Sequence, residues 1–461
     1  MNFSFKNISL ENLIQKYSSD GPYYTSYPSL SEWSEKIKDA DFFSALQDGC
    51  LNKDNSFGVY VHFPYCNKKC YFCICNSSVT HNRKKISEFI DFSSKEIDLL
   101  KGHLDSELLV PKLKTIHLGG GSPNIMNYEE FDRFFDNILS FADNSSLEEV
   151  AIEVDVRTVD EAKLKYYQER GINRISLGIQ DFNPQVQKAI NRIQPVELVE
   201  RLLKSDLRKG FKSINFDLLY GLPLQTRESF NETLDIVKTL SPDRITLLRY
   251  AHVPERVKAQ RLINPKDLPD KIYAAHIFTD SIENLTNAGY DFIGIDHFAK
   301  PTDELSKAMK TKSLFRNFNG FTPKKINNLI GFGPSSTSMF SDTYFQNVYF
   351  SNYYKKVANN KLPLLREYKL NKDDMVRRDV INTILCDNVL DFKKISSPNS
   401  IDFSDYFKEE MKSLKPFIED GMLEKSNEQL YVTPLGRVFI RHICRVFDNH
   451  LKTKQYKISG P

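Results

Sequence analysis

The 461-residue chain has no long apolar run and almost no excess of charge of either sign. No stretch approaches the roughly 18 uninterrupted apolar residues of a membrane helix, and the N-terminal segment MNFSFKNISLENLIQKY carries charges inside each apolar stretch. Lys and Arg total 63 against 60 Asp and Glu, so the net charge of +3 gives no general attraction to nucleic acid. We therefore expect a cytoplasmic protein that binds neither membrane nor nucleic acid, and a monomer.

Internal repeats and low-complexity segments are also absent. Apolar residues at 40% and charged residues at 27% are typical of globular proteins. Because a single core stops growing at about 250–300 residues, this length predicts a barrel-sized domain with smaller additions.

Six short apolar runs recur along the chain, each separated from the next by enough residues for a helix. They lie at 57–63, 115–119, 150–155, 174–179, 214–221 and 244–250. Nearly continuous apolar strands that alternate with helical segments indicate a parallel sheet covered on both faces, and right-handed crossovers would close it into a partial barrel. A full eight-stranded barrel stays open as an alternative, because 290–298 resembles a further strand.

The pattern changes from about Asp373, where two helical segments at 373–386 and 407–423 precede a hairpin and a helix. This order predicts a winged-helix-like unit, and the near-neutral charge favours a packing or lid role over nucleic-acid binding. The predicted fold is α/β: a partial (β/α)6 TIM-like barrel with extra strands at 55–365, an N-terminal extension at 1–54, and a small, mostly helical domain at 366–461.

Four of the seven cysteines fall within ten residues, at Cys66, Cys70, Cys73 and Cys75. In a large cytoplasmic chain, such a cluster indicates metal or redox chemistry rather than disulfides. The loop follows the first strand, at the end where barrel active sites lie, and soft thiolates favour zinc or an iron–sulfur cluster. Structural zinc is the weaker alternative, because zinc ribbons use two separated Cys-x2-Cys pairs and the sequence has no second pair.

Further polar and glycine residues follow the later strands. The run Gly119–Gly121 and Ser122 come after the second strand, where missing side chains let the backbone approach a ligand; a tight turn is the alternative. Side chains suited to hydrogen bonding with ribose hydroxyls or an ammonium group lie near other strand ends: Glu153, Asp217, Gln180 and Arg192. For each of these, a buried salt bridge or a cap is the alternative.

The spacing Cys66-x3-Cys70-x2-Cys73, with Phe72 before the last cysteine, resembles the defining loop of radical S-adenosylmethionine enzymes. Further motifs occur in order across residues 20–450 and resemble the oxygen-independent coproporphyrinogen III oxidase family: CYFCICN, GGGSP, IEVD, LGIQDFNPQVQ, INFDLLYGLP, YAHVP and GIDHFAKP. The resemblance implies a [4Fe–4S] cluster on these three cysteines, with Cys75 a family marker rather than a fourth ligand.

The implied reaction is the oxidative decarboxylation of two propionates of coproporphyrinogen III to the vinyl groups of protoporphyrinogen IX, in haem biosynthesis. A 5′-deoxyadenosyl radical abstracts hydrogen from the tetrapyrrole, and an external electron donor and acceptor are required. The resemblance also implies two S-adenosylmethionine molecules per active site and no catalytic residue beyond cluster and cofactor. Matching positions for the first molecule are Tyr60, Gly120, Glu153 and Thr337; for the second they are Phe72, Gly121, Ser122, Gln180, Arg192, Asp217 and Ala251.

The chain departs from the family pattern at several positions. Tyr23 stands where Arg is common, Arg249 replaces Asn, Asn319 replaces Gln, and Thr337 stands where an apolar residue is frequent. Residues 323–328 depart from an acidic, glycine-containing stretch. These departures leave open a paralogue with another radical reaction, such as methyl transfer, cyclopropanation or haem degradation. A haem chaperone is a third alternative, against which Cys75 speaks.

Overall fold

The computed structural model describes residues 9–17, 22–53, 55–204 and 206–451. At its centre is a twelve-stranded sheet whose six middle strands are parallel and follow chain order. They are β1 (Ser56–Phe63), β2 (Lys112–Gly120), β3 (Glu149–Val154), β4 (Arg174–Gln180), β5 (Ser213–Tyr220) and β6 (Arg244–Arg249). This arrangement confirms the predicted partial (β/α)6 barrel.

Amphipathic helices connect the parallel strands. They span Arg83–Ser106, Tyr128–Leu139, Glu161–Glu169, Pro184–Ala189, Val196–Lys204 and Arg227–Leu240, and Lys271–Asn287 follows β6. The second begins at a capping box, in which Asn127 accepts from the Glu130 amide and Glu130 accepts from the Asn127 amide. Its buried phenylalanines, among them Phe131 and Phe134, face the sheet.

Extra strands continue the sheet at both edges. Next to β6, residues 290–298 form a hairpin of β7 (Asp291–Gly294) and β8 (His297–Ala299), and β8 runs antiparallel to β6. The chain reverses at Ile295, whose φ is +52°, so the alternative of a full eight-stranded barrel is wrong. On the other side of β1 the sheet continues outward, in this order, with β9 (Asn328–Phe332), β10 (Thr337–Met339), β11 (Thr343–Asn347) and β12 (Leu364–Lys369).

Shorter elements complete this part of the chain. Two further pairs of short strands lie outside the main sheet. Tyr65–Cys66 pairs in parallel with Ser78–Val79, and Phe315–Asn317 pairs antiparallel with Gly320–Thr322. The remaining helices are Leu10–Lys16, Asp39–Leu51, Glu304–Lys310 and Phe350–Ala358, and the 3-10 turns are Leu30–Glu32, Pro123–Ile125, Val156–Thr158, Asp206–Gly210, Lys258–Leu262 and Pro265–Asp267. Among the helices of the described ranges, none is long and apolar enough to span a bilayer.

The C-terminal part is mostly helical and contains a hairpin, as predicted, and a third strand that was not predicted completes a small sheet. The strands are β13 (Val389–Asp391), β14 (Leu423–Lys425) and β15 (Gln429–Val432), with β15 in the middle. The helices are Lys372–Asp387, Phe392–Asn399, Phe403–Tyr406, Lys408–Ser413, Lys415–Glu419, Pro434–Val438 and Ile440–Val446. The segment at 407–423, predicted as one helix, breaks at Leu414.

The N-terminal segment packs against both larger units. Phe42 and Leu46 join the apolar core between the sheet and its helices, whereas Leu10 and Ile14 join a second core formed mainly by the C-terminal helices. This second core also includes Ile293 of β7. The predicted domain limits stay predictions.

A buried carboxyl group ties the first crossover helix to the extra strands. Glu96, 3% exposed, accepts hydrogen bonds from the Gly333 amide at 2.9 Å, from Asn347 Nδ2 at 2.7 Å and from the Tyr353 hydroxyl at 2.6 Å. Burial raises the pKa of Glu96 to about 7, against an ordinary value of 4.5, although the three hydrogen bonds oppose the shift.

We predict that the substitution Glu96→Gln changes how stability depends on pH. Between about pH 4.5 and 7 the folded protein holds a proton that the unfolded chain releases, so the wild-type free energy of unfolding falls as pH rises through that window. The fall is about 3 kcal/mol. Denaturant unfolding should show that the free energy of unfolding of the variant, relative to that of the wild type, is higher at pH 8 than at pH 5. The exposed Glu88, changed to Gln on the same helix, is the control. A difference between Glu96→Gln and wild type that does not change with pH would refute the assignment.

Candidate active site

The cysteine loop lies at the C-terminal end of β1, as the order of elements predicts. Cys66 ends a short strand, and its carbonyl accepts from the Thr80 amide at 3.0 Å. The end of the helix Pro184–Ala189 supports the other side: the Tyr71 amide donates to the Ile190 carbonyl at 3.0 Å, and Asn191 Nδ2 donates to the Lys69 carbonyl at 2.9 Å. The backbone of the loop is therefore held from two directions.

Two guanidinium groups lie beside the thiol of Cys70. Arg157 Nη2 and Arg192 Nη1 are each 3.5 Å from its Sγ. Asp155 holds both side chains in place through ion pairs, with Arg157 at 2.6 Å and with Arg192 at 3.4 Å. Burial opposes ionisation of Asp155, but the hydrogen bond from Arg157 and the charges of both arginines outweigh it and lower its pKa. The arrangement stabilises negative charge on sulfur.

The other two predicted ligands have different surroundings. Burial raises the pKa of Cys66, while hydrogen bonds from Ser122 and Ser77 partly offset the shift. The pKa of Cys73 is lowered, first by a hydrogen bond from the Cys75 thiol. Metal binding requires thiolates, and of these two cysteines only Cys73 has its pKa shifted toward the thiolate form.

Glu153 is the centre of a polar cluster inside the barrel. It accepts from His117 Nε2 at 3.2 Å and from the Gly120 amide at 3.1 Å. Burial opposes its ionisation, but the hydrogen bond and charge of His117, with the Gly120 amide, lower its pKa. The ring of Tyr60 stacks on His117 with centroids 5.7 Å apart. Three of the residues matched to the first S-adenosylmethionine therefore lie together: Tyr60, Gly120 and Glu153.

Missing side chains in Gly119–Gly121 allow this close packing. A Cβ at Gly119 would lie 2.5 Å from Glu153 Oε1, and one at Gly121 would lie 2.4 Å from the Tyr65 carbonyl oxygen. Gly120 has a φ of +102°, which favours glycine. The run does more than form a turn, since it brings the cysteine loop and Glu153 against one backbone segment.

The residues at the ends of β4 and β5 form a second polar group. Arg192 Nε donates to the Gly178 carbonyl at 3.1 Å, and a Cβ at Gly178 would lie 2.9 Å from Arg192 Nη2 and 3.1 Å from Gln180 Nε2. Asp217 accepts from the Ser176 hydroxyl at 2.6 Å. Glycine at position 178 thus gives the Arg192 and Gln180 side chains room to lie over the strand.

Gln260 links two of the predicted binding segments. Its Nε2 donates to the Phe72 carbonyl at 3.0 Å and to the Ala251 carbonyl at 2.9 Å, and its Oε1 accepts from the Val253 amide at 2.6 Å. Gln260 is fully buried, and a lone glutamine in an irregular segment carries no sequence signal.

Thr337 and Asn319 lie outside the cluster around Glu153 that these contacts define. Gly331 on β9 pairs with Tyr60, and a Cβ at Gly331 would lie 2.5 Å from the Thr337 carbonyl oxygen, so β9 lies between Thr337 and Tyr60. Asn319 is exposed in the turn of the hairpin formed by residues 315–322.

Sequence reasoning missed His117, Asp155, Arg157, Gln260 and also His62, whose Nδ1 lies 3.2 Å from the Tyr60 hydroxyl. Asp155 and Arg157 directly follow β3, so the strand-end rule that selected Glu153 also applies to them. His62 and His117 lie within strands β1 and β2, and their inward direction depends on the closure of the barrel.

The donor set fits an iron–sulfur cluster with a ligand beside it. Three thiols lie on one loop, two guanidiniums accompany one of them, and the glycine run packs its backbone against Glu153. Thiolate ligands select soft metals and iron–sulfur clusters, and cationic hydrogen-bond donors near cluster sulfur affect its reduction potential.

Comparison with known proteins also indicates an iron–sulfur enzyme. Residues 60–237 match the model of the radical SAM superfamily, and residues 370–439 match that of the HemN C-terminal domain. Membership of the superfamily implies a [4Fe–4S] cluster and S-adenosylmethionine as cofactors.

The similarity extends over nearly the whole chain. The oxygen-independent coproporphyrinogen III oxidase of Salmonella typhimurium is 40% identical, over 96% of this chain and 95% of its own. That of Helicobacter pylori strain J99 is 37% identical over 97% and 98%. The solved structure of coproporphyrinogen III oxidase from Escherichia coli, a radical SAM enzyme, matches with a TM-score of 0.89 and 38% identity, over 95% of this chain and 98% of that one. The chain belongs to the oxygen-independent coproporphyrinogen III oxidase family.

Proposed function

We propose that the chain is an oxidoreductase that converts coproporphyrinogen III to protoporphyrinogen IX without oxygen. The observation that carries the proposal is 40% identity over 96% of the chain to a protein with that activity in its name. Each of two propionates loses carbon dioxide, one hydrogen atom and one electron to become a vinyl group. The electrons leave to an external acceptor.

Cys66, Cys70 and Cys73 would hold three irons of the cluster, and the fourth would bind S-adenosylmethionine. When bound, the two cofactors supply the radical that removes hydrogen from the substrate. Within the chain, Arg157 and Arg192 place positive charge against the Cys70 sulfur, which stabilises the negative charge of a thiolate-bound cluster.

Glu153, Tyr60, Gly120 and Thr337 would bind the first S-adenosylmethionine. The lowered pKa of Glu153 keeps its carboxylate ionised at neutral pH, as pairing with an ammonium group or with ribose hydroxyls requires. The stack of Tyr60 on His117 and the hydrogen bond from His117 orient that carboxylate. These residues bind and position the cofactor, and none of them exchanges a proton with the substrate in this proposal.

A second S-adenosylmethionine would lie against the other polar group. The matching residues are Phe72, Gly121, Ser122, Gln180, Arg192, Asp217 and Ala251. The geometric support is that Gln260 fastens the Phe72 and Ala251 carbonyls together, and that Gly178 makes room for Arg192 and Gln180. One wall of the site therefore contains residues from four loops.

Conversion of substrate is the direct test of the function. After anaerobic reconstitution with iron and sulfide, we expect the protein to convert coproporphyrinogen III, with S-adenosylmethionine, a reductant and an electron acceptor, to mono-vinyl and divinyl products. Chromatography of the oxidised porphyrins measures both. Accumulation of 5′-deoxyadenosine with no vinyl product would support the assignment as a radical enzyme and contradict the assignment of the substrate.

Iron content tests the ligand assignment. Cys73→Ala should remove the cluster, whereas Cys75→Ala should leave most of the iron, because Cys75 is not a ligand in the proposal. Iron and sulfide analysis, with the absorption of the reconstituted proteins near 400 nm, measures the outcome. Cys444→Ala, far from the loop and buried among the C-terminal helices, controls for loss of a thiol. Equal loss of iron in the Cys73 and Cys75 variants would show that the loop has four ligands.

Binding stoichiometry tests the second cofactor. Equilibrium dialysis of the reconstituted protein should show two S-adenosylmethionine molecules per chain. Asp217→Asn should lower the affinity for one of them about tenfold or more, because it replaces an acceptor oxygen of the carboxyl group that Ser176 and Asn215 hold. Glu153→Gln should affect the other one and abolish deoxyadenosine formation. One molecule per chain in the wild type would contradict the proposal.

A further inference from the structure

The two guanidiniums beside Cys70 differ in what else they contact. Arg192 also donates to the Gly178 carbonyl and is among the residues proposed to bind the second S-adenosylmethionine, whereas Arg157 belongs to neither cofactor set. In the described chain, Arg157 contacts Asp155, the Asn191 carbonyl oxygen at 3.5 Å and the Cys70 sulfur at 3.5 Å. The contact with sulfur is therefore the one through which Arg157 can act on the site.

Asp155 fixes both the backbone and the side chain of Arg157. Its Oδ1 accepts from the Arg157 amide at 3.1 Å and from Nε at 2.9 Å, and its Oδ2 accepts from Nη2 at 2.6 Å. Two donors on one carboxylate set the plane of the guanidinium as well as its distance. Because Asp155 directly follows β3 and precedes the 3-10 turn Val156–Thr158, the barrel backbone determines where Arg157 meets Cys70.

This group of charges is largely shielded from solvent. The side chains of Arg157, Asp155 and Arg192 are 13%, 9% and 7% exposed, so salt screens them only weakly. Two guanidiniums and one carboxylate leave an excess of one positive charge next to the Cys70 sulfur. The excess depends on Arg157, since the charges of Arg192 and Asp155 alone would cancel.

Direct guanidinium contact is confined to one of the three predicted ligands. In the part of the chain that the structure describes, both contacts between a guanidinium nitrogen and a thiol sulfur are made to Cys70. Cys66 instead receives hydrogen bonds from two serine hydroxyls, and Cys73 receives one from the Cys75 thiol. The cationic contact with a bound cluster therefore lies on its Cys70 side.

We infer that Arg157 is a positioning residue that raises the reduction potential of the cluster, acting through the Cys70 sulfur. The inference rests on the proposed function for the presence of the cluster. On reduction, the cluster gains one electron and an external donor loses it, so the negative charge at the site increases. A fixed cation stabilises the reduced, more negative state more than the oxidised state, and the potential rises.

A higher potential makes electron entry easier. The electron comes from a donor outside the chain, so the potential of the cluster determines how strong that donor must be. With Arg157 in place, a given donor reduces a larger fraction of the enzyme. Arginine is suited to this role because its guanidinium keeps its charge at every pH at which the protein is folded.

Potentiometric titration of the reconstituted holoenzyme, followed by the EPR signal of the reduced cluster, tests the inference. In Arg157→Gln, the ratio of reduced to oxidised cluster at a fixed donor potential should fall about tenfold, which is a midpoint about 59 mV more negative for a one-electron couple. Arg157→Lys, which keeps the charge but not the paired donors, should shift the midpoint less in the same direction.

Arg170→Gln is the matched control. Arg170 follows the far end of the helix Glu161–Glu169 and pairs with Asp132 at 3.0 Å, so this variant also removes a paired arginine but leaves the surroundings of Cys70 unchanged. Its midpoint should equal that of the wild type. An equal shift in Arg170→Gln and Arg157→Gln would show that the effect does not come from the contact with sulfur.

Iron and sulfide content separates an effect on the potential from an effect on folding. Arg157→Gln should bind as much iron as the wild type, because Arg157 is not a ligand. If it binds less, Arg157→Met, a second neutral variant of similar length, takes its place in the titration. An unchanged or more positive midpoint in a neutral variant with full iron content would overturn the inference. Loss of the cluster in both neutral variants would also overturn it, because Arg157 would then hold the loop.

The outcomes distinguish this inference from the proposed function. If the wild type forms no vinyl product but its midpoint lies above that of Arg157→Gln, the role of Arg157 stands and the assignment of the substrate is wrong. If the wild type forms protoporphyrinogen IX and the neutral variants keep its midpoint, the reaction stands and the role of Arg157 is wrong.

Discussion

The close contact between the glycine run after β2 and the chain after β1 is the constraint on which the site depends. The Gly121 amide donates to the Phe63 carbonyl at 2.6 Å and the Ser122 amide to the Tyr65 carbonyl at 2.8 Å. These bonds continue the β1–β2 pairing past the sheet and fix the backbone that leads into Cys66. No side chain larger than hydrogen fits at Gly121, so the position of the cysteine loop depends on that missing side chain.

Buried charges are paired both beside the cysteine loop and near Asp296, but with different partners. Next to the cysteines, Asp155 holds two arginines, which creates a positively charged support for sulfur. At the cavity between the N-terminal segment and the C-terminal helices, burial opposes the ionisation of Asp296, but His297, Arg316 and Arg441 outweigh it and lower its pKa.

Much of the fold could be predicted because its strands are buried on both faces and appear as continuous apolar runs. The six parallel strands are predictable from these runs, and the C-terminal helices from the helical pattern of 373–386 and 407–423. The hairpin at 290–298 was less predictable, because Ile295 adopts a positive φ that β-branched residues rarely take. Gln260 and Glu96 could not be predicted, since each is one polar residue whose role depends on carbonyls or donors far away in sequence.

The sequence by itself indicated the cofactor chemistry, because the spacing of three cysteines within eight residues resembles that of radical S-adenosylmethionine enzymes. It also determined the order of strands and helices, since that order follows from local periodicity. Only the tertiary structure decided which polar residues meet: Asp155 with two arginines, Gln260 with two loops, and Tyr23 with Arg249 and Arg441. Those contacts join segments tens to hundreds of residues apart, and their geometry depends on how the barrel closes and where both termini pack against it.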